Sequence, residues 1–262
     1  MKGRTAIRIW PAALLLAALT AWPAAAAFED LGAGARAPAL GDAFTPLADD
    51  VYAVYYNPAG LAQLERPEFS SAYARLLMGL SDNTNLGLTQ LAYAQPLRRG
   101  RQGPLGLGFE RFSASSLYYE QTIRLSYGRL LWQRESGGRL LGGLTFKQLS
   151  HGFATPAEAS NAIDPNTGNA TGAPDPVLAG KNSKSAYDAD LGFLYRLPRR
   201  VQLGLAVMHV IRPNVAFSGS DKLPMSLRAG AAWKSLWMSL TGELRQEQGP
   251  AGGTDRQFVA GA

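Results

Sequence analysis

Leu40-Gly-Asp-Ala-Phe-Thr-Pro-Leu-Ala-Asp-Asp-Val-Tyr-Ala-Val-Tyr-Tyr-Asn-Pro-Ala-Gly-Leu61 is the stretch whose reading decides the fold, because a compact turn-helix signature is joined there to an apolar run. Asn57-Pro58 supplies a helix start: asparagine suits the N-cap and proline is preset for the first helical position. Proline also holds the residue before it in an extended conformation, so Asn57 itself is outside the helix. A short helix over roughly Pro58 to Leu64 is predicted, with Pro46 ending or kinking any helix placed earlier.

Downstream of this segment the apolar residues alternate with polar or small ones instead of forming helical stripes. Leu105, Leu107 and Phe109 alternate with Gly106, Gly108 and Glu110, and Ile123, Leu125 and Tyr127 with Arg124, Ser126 and Gly128. The same period of two runs through 140–147, 188–195 and 225–233, which predicts strands with one greasy and one polar face. Strand windows fall at 68–79, 84–97, 104–113, 119–132, 139–151, 186–198, 200–212, 224–235 and 236–247, with a tenth beginning near Asp255.

Alternation alone also fits a soluble antiparallel sandwich. The connections favour a transmembrane barrel: 113–118, 133–138, the long 152–185, Pro198-Arg199-Arg200, 213–223 and Lys234-Ser235 suggest long loops at one end and tight turns at the other. The moderately long 98–103 turn is an exception. Trp132, Tyr195, Trp233 and Trp237 lie at expected tight-turn ends, and Tyr118, Tyr119 and Tyr187 at the opposite ends, like two aromatic girdles. The predicted fold class is therefore all-β, an antiparallel transmembrane β-barrel with a short N-terminal helical plug.

The first residues read as a secretory leader. Lys2, Arg4 and Arg8 precede an apolar stretch that ends in Ala24-Ala25-Ala26-Ala27, so residues 1–27 are expected to be a signal peptide cleaved before Phe28. Loss of those three basic residues takes the formal charge from +6 to +3, a weak basis for nucleic-acid binding. No nucleic-acid partner is expected. The absence of cysteine excludes disulfides, thiolate chemistry and a lipidated leader. Residues 28–66 would form the plug and 67–262 the barrel.

Gly41, Ala43-Phe44, Asp49-Asp50, the Val51 to Tyr56 run and Asn57-Pro58-Ala59-Gly60-Leu61 together resemble the N-terminal segment of the FadL-like outer-membrane proteins, which include the long-chain fatty-acid transporter FadL and PorV/PorQ-like relatives. The resemblance is specific over about 32–64 and architectural beyond. Asp42, where family members carry a small residue, and Pro46 depart from the pattern. The resemblance implies an outer-membrane location in a Gram-negative-type bacterium and passive uptake of hydrophobic or amphipathic small molecules of the long-chain fatty acid or hydrocarbon type. Its other branch implies a PorV-like partner that docks secreted proteins, with 152–185 as the docking loop. Fourteen strands are usual in the family and about ten are visible here, so the barrel is expected to be C-terminally truncated, or to oligomerise or close by irregular pairing.

The candidate ligand or gating residues lie in the plug. Asn57, Pro58, Ala59 and Gly60 would present helix-terminal amides to an anion such as a carboxylate, with Phe44, Val54 and Tyr55 supplying an apolar wall. The alternative is that they only pack the plug. Arg124, Lys147, Asp188, Asp190 and Arg228 are the expected inward charges, either hydrating the interior and pairing with the plug or gripping a ligand head group. Arg98, Arg99, Arg101, Arg199 and Arg200 make basic turns suited to anionic lipid head groups or to plain solvation.

Catalysis has little support, and no enzyme activity is expected. His151 and His209 are the two histidines, on different strands, and Ser150 points to the face opposite His151. The 164–169 run is oxygen-rich but lacks the calcium-loop spacing, so it reads as a surface loop. No metal or cofactor is expected; the expected partners are outer-membrane lipids and a hydrophobic small molecule.

Overall fold

The computed structural model describes residues 27–78, 85–97, 102–154, 163–164, 167–172, 182–217, 219–248 and 253–262. The expected leader up to residue 26, the arginines Arg98, Arg99 and Arg101, and much of the 152–185 loop lie outside the described residues.

Among the described residues ten strands form one antiparallel sheet in chain order: β1 (Glu68–Leu76), β2 (Leu86–Pro96), β3 (Pro104–Ala114), β4 (Tyr118–Gln133), β5 (Arg139–Phe153), β6 (Ser183–Arg196), β7 (Val201–Met208), β8 (Ser226–Lys234), β9 (Ser239–Gln248) and β10 (Thr254–Gly261). Among the described residues no ladder joins β1 to β10. No described helix is long and apolar enough to cross a membrane, which leaves crossing by strands unaddressed.

Alternation sets the two faces. Leu107 of β3, Leu125 of β4 and Phe146 of β5 are directly paired across the sheet and all exposed on the outer face. Exposed Phe69, Leu91, Leu205, Leu227, Leu244 and Phe258 carry that apolar surface onto other strands. On the inner face Thr122, Lys147, Asp188, Arg228 and Glu243 are buried.

Three local expectations are corrected. β7 stops at Met208, well before 212, because His209 and Arg212 take positive φ of 58° and 54°. The His209 N–H donates to Asp190 Oδ1 at 2.9 Å, which takes that donor off the ladder. The turn placed at Lys234-Ser235 spans 235–238, closed by a Ser235 N–H to Met238 O bond of 2.7 Å. The connection between β3 and β4 is the tight turn 115–117, with Ser115 at φ 51°, so one of the expected long loops is short.

Residues 30–64 lie against the inner face. This plug contains two single-turn helices, α1 (Arg36–Ala39) and α2 (Ala53–Tyr56), and a 3-10 helix over Pro58–Gln63. α1 ends because Gly41 and Asp42 both adopt positive φ, and Pro46 sits in a turn closed by Ala48 N–H to Phe44 O. Asn57 is extended at φ −160° and accepts from the Ala59 N–H through its side chain, as an N-cap. Phe44, Leu47, Val54, Tyr56 and Leu61 form the plug's buried core.

The plug reaches every strand. It touches β1 through Tyr52 and Ser70 hydroxyls 2.7 Å apart, β6 through Asn57 Nδ2 donating to Phe193 O, and β9 through the Thr45 N–H donating to Glu243. Gly41 approaches Ala260 of β10, so the plug contacts both edge strands. Close approach to β4, β5 and β6 depends on Gly128, Gly143 and Gly192, which the register places side by side across three strands. A Cβ on Gly143 would stand 2.2 Å from the Pro58 carbonyl carbon, and one on Gly192 2.1 Å from Asn57 Oδ1.

Candidate functional site

The plug packs near the sheet end that carries the 134–138, 197–200 and 235–238 turns. Toward the opposite end the inner face opens into a cavity whose lining is mixed. Phe28, Leu31, Leu88, Phe112, Leu149 and Met208 contribute its apolar part. Asp30, Glu110, Glu120, Arg124, Lys147 and Arg228 contribute its charged part.

Each of the five expected inward charges lies on the inner face, and the register explains their grouping. Arg124, Lys147 and Asp188 are neighbours across β4, β5 and β6, while Asp190 shares the Asp188 face two residues on. Lys147 Nζ lies 2.6 Å from Asp190 and 3.1 Å from Asp188, and all three side chains are buried. His209 Nδ1 donates to Asp188 Oδ2 at 2.6 Å, and the Ile211 N–H donates to Asp188 Oδ1. The aspartates therefore tie down the start of the 209–225 connection. Nothing in the spacing of His209 and Asp188 announces this pairing, because it is created by the return of the chain over the sheet.

Arg124 pairs with Glu110 at 3.1 Å and lies over the Tyr55 ring, 4.5 Å from its centroid. Arg228 pairs with Asp30 of the plug at 2.6 Å. Among the described residues neither guanidinium is saturated: Arg124 Nη1 and Arg228 Nε and Nη1 are buried without a hydrogen-bond partner there. Neighbouring protein strips some water from Asp30, whose side chain is still 46% exposed, but Arg228 outweighs this and holds the Asp30 carboxyl below the usual carboxylate range.

The plug residues singled out from sequence are placed differently from the cavity. Asn57, Pro58, Ala59 and Gly60 are fully buried against the glycines of β5 and β6. The Ala59 N–H donates to Asn57 Oδ1 and the Gly60 N–H to Asn57 O, so both amides are used within the turn. Phe44 and Val54 lie in the plug core. Of these seven residues only Tyr55 lines the cavity; its hydroxyl donates toward Leu91 O and Phe109 O.

Sequence reasoning passed over Phe28, Asp30 and Glu120. Period-two alternation from Thr122 and Arg124 signals the inward direction of Glu120, but nothing local signals that the first plug residues meet it. Tyr118, expected in an outer girdle, turns inward and donates to Glu120 Oε1 at 2.6 Å. Ser150 and His151 do face opposite ways: Ser150 meets Ser185 on the exposed side, while His151 is buried with Nε2 donating to Val215 O. Among the described residues no group of three acidic, histidine or cysteine side chains is placed to hold a metal ion. Compared with known proteins, the chain matches no protein-family model and no curated protein.

Proposed function

We propose that this chain is a plugged outer-membrane β-barrel for passive uptake of hydrophobic or amphipathic small molecules, a long-chain fatty acid or hydrocarbon in type. The observation that carries the reading is the mixed cavity beyond the plug. With the plug seated the cavity holds about 60 Å³, too little for a long chain, so a ligand would enter as the plug shifts; the apolar side, with Leu88, Phe112 and Leu149, and the spare donors of Arg124 and Arg228 supply the chemistry that a hydrocarbon chain and a polar head need. The apolar outer face of the sheet suits lipid, because in a bilayer each backbone group must be paired and outward side chains must be greasy. Entry would follow a shift of the plug, with no energy source required.

The test is uptake by vesicles carrying the purified full-length protein. Labelled fatty acid or aromatic hydrocarbon should cross faster than in protein-free vesicles, and an equal rate would sink the proposal. The docking alternative draws on the β5–β6 connection at 154–182, the longest between successive strands. Deleting most of that connection should leave uptake intact if transport is the role; loss of a co-purifying secreted protein with no measurable uptake in either form would favour docking.

A further inference from the structure

We infer that removal of the leader creates an internal ion pair: the new α-ammonium group of Phe28 docks on the Glu120 carboxylate and fastens the start of the plug inside the sheet. The inference rests on export and cleavage after Ala27, and is independent of what crosses the membrane.

Three observations meet at this point. The Phe28 nitrogen lies 2.9 Å from Glu120 Oε2 and donates to it. Glu120 receives a second bond from Tyr118, yet among the described residues no side-chain cation lies within ion-pair distance of it. A half-buried carboxylate is better held with a counter-charge beside it, and the atom already in contact becomes one when the peptide bond is cut. Hydrolysis adds one water across the Ala27–Phe28 bond, leaving a carboxylate on Ala27 and an ammonium on Phe28.

The second observation is conformational. Phe28 has φ 59° in the continuous chain, a left-handed conformation that a bulky side chain rarely takes. The penalty comes from crowding between Cβ and the preceding carbonyl oxygen. Cleavage removes that carbonyl, so the geometry that is strained in the precursor is unstrained in the processed protein.

The third is a built seat for the side chain. The Phe28 ring meets His151 edge-on at 5.4 Å and packs against the cluster of Leu149, Val215 and Leu223. His151 is held by its bond to Val215 O and by the neighbouring Phe217 ring, 4.5 Å away. One short element thus joins β4, β5 and the 209–225 connection.

The experiment uses full-length protein matured in cells and purified from membranes. Intact mass gives the first residue, and the rate at which an N-terminus-selective aldehyde labels the α-amine is measured at pH 7 on the folded protein. Phe28 should be the first residue. Glu120→Gln should speed labelling about tenfold, the change produced when the amine's pKa falls by one unit. Glu120→Asp should lie between the two. If the glutamine variant does not fold, a glycine inserted between Ala27 and Phe28 displaces the amine while Glu120 stays, and should give the same acceleration. Equal labelling of the wild type and the folded variant overturns the inference, as does a first residue other than Phe28. Retention of the leader would overturn the export reading too.

Discussion

Asn57 shows how much one buried amide can carry. Its side chain caps the 3-10 helix and donates to Thr45 O and Phe193 O, so replacement strips a cap and leaves two carbonyls without their donor. Asn57→Leu is expected to destabilise the folded protein by about 2 to 4 kcal/mol, combining cap loss with unsatisfied buried acceptors. Denaturant unfolding in detergent micelles measures it, and a change below about 1 kcal/mol would show that the cap alone matters. Lys147 is the sharper case, since it is buried between two aspartates. Lys147→Met leaves those carboxylates facing each other and should cost about 3 to 5 kcal/mol, with the 209–225 connection the first segment to become protease-sensitive.

At the scale of elements, the plug and the sheet are matched by size. Gly143 admits the Pro58–Ala59 backbone, so Gly143→Val should displace the 3-10 helix and cost at least about 1 to 3 kcal/mol. Gly242 is the comparison: a Cβ there meets the Phe258 ring at 3.6 Å, an ordinary contact, so Gly242→Ala should change stability by less than about 0.5 kcal/mol. Chymotryptic cleavage within 30–66 reads out plug displacement in the first and none in the second.

The plug is also held by charge. Arg36 bridges Asp49 and Asp50, and Lys234 of β8 pairs with Asp49. Burial opposes the charge of Asp49, but Arg36 and Lys234 hold its carboxyl below the usual range, and the half-exposed Asp30 is lowered by Arg228 against the partial loss of its water. Carboxylates with lowered folded values stabilise above the ordinary aspartate value, about 3.9, and that support is lost as pH falls through the lowered values. Burial pushes Asp50 up, so its protonation works in the opposite sense. Pepsin cleavage of 30–66 should therefore rise as pH drops from about 4 toward 2, and Asp49→Asn combined with Asp30→Asn should flatten that rise.

For the whole molecule, several inner-face groups find their hydrogen-bond partners in the plug. Deleting 28–66 would expose Gln90, Thr241 and Glu243, each of which bonds to plug backbone, together with the glycine row of β4 to β6. The deletion should give either no folded protein or, in planar bilayers, a conductance well above that of the full chain. Equal conductance would show that the plug does not close the interior.

Strand order, facing and the cap at Asn57 were legible in the sequence because they are local: alternation at period two assigns each side chain to a face, and Asn-Pro constrains its own backbone. The inward direction of Arg124, Lys147, Asp188, Asp190 and Arg228 followed from the same rule. Their partners did not, since Asp188 with His209, Arg228 with Asp30 and Glu120 with Phe28 meet through register and chain return, which no spacing encodes. The tertiary structure alone decided that the Asn57 to Gly60 turn is spent on packing and that the open cavity lies on its far side. The physical reason is that facing is a property of one strand, whereas closeness and burial belong to all ten strands and the plug together.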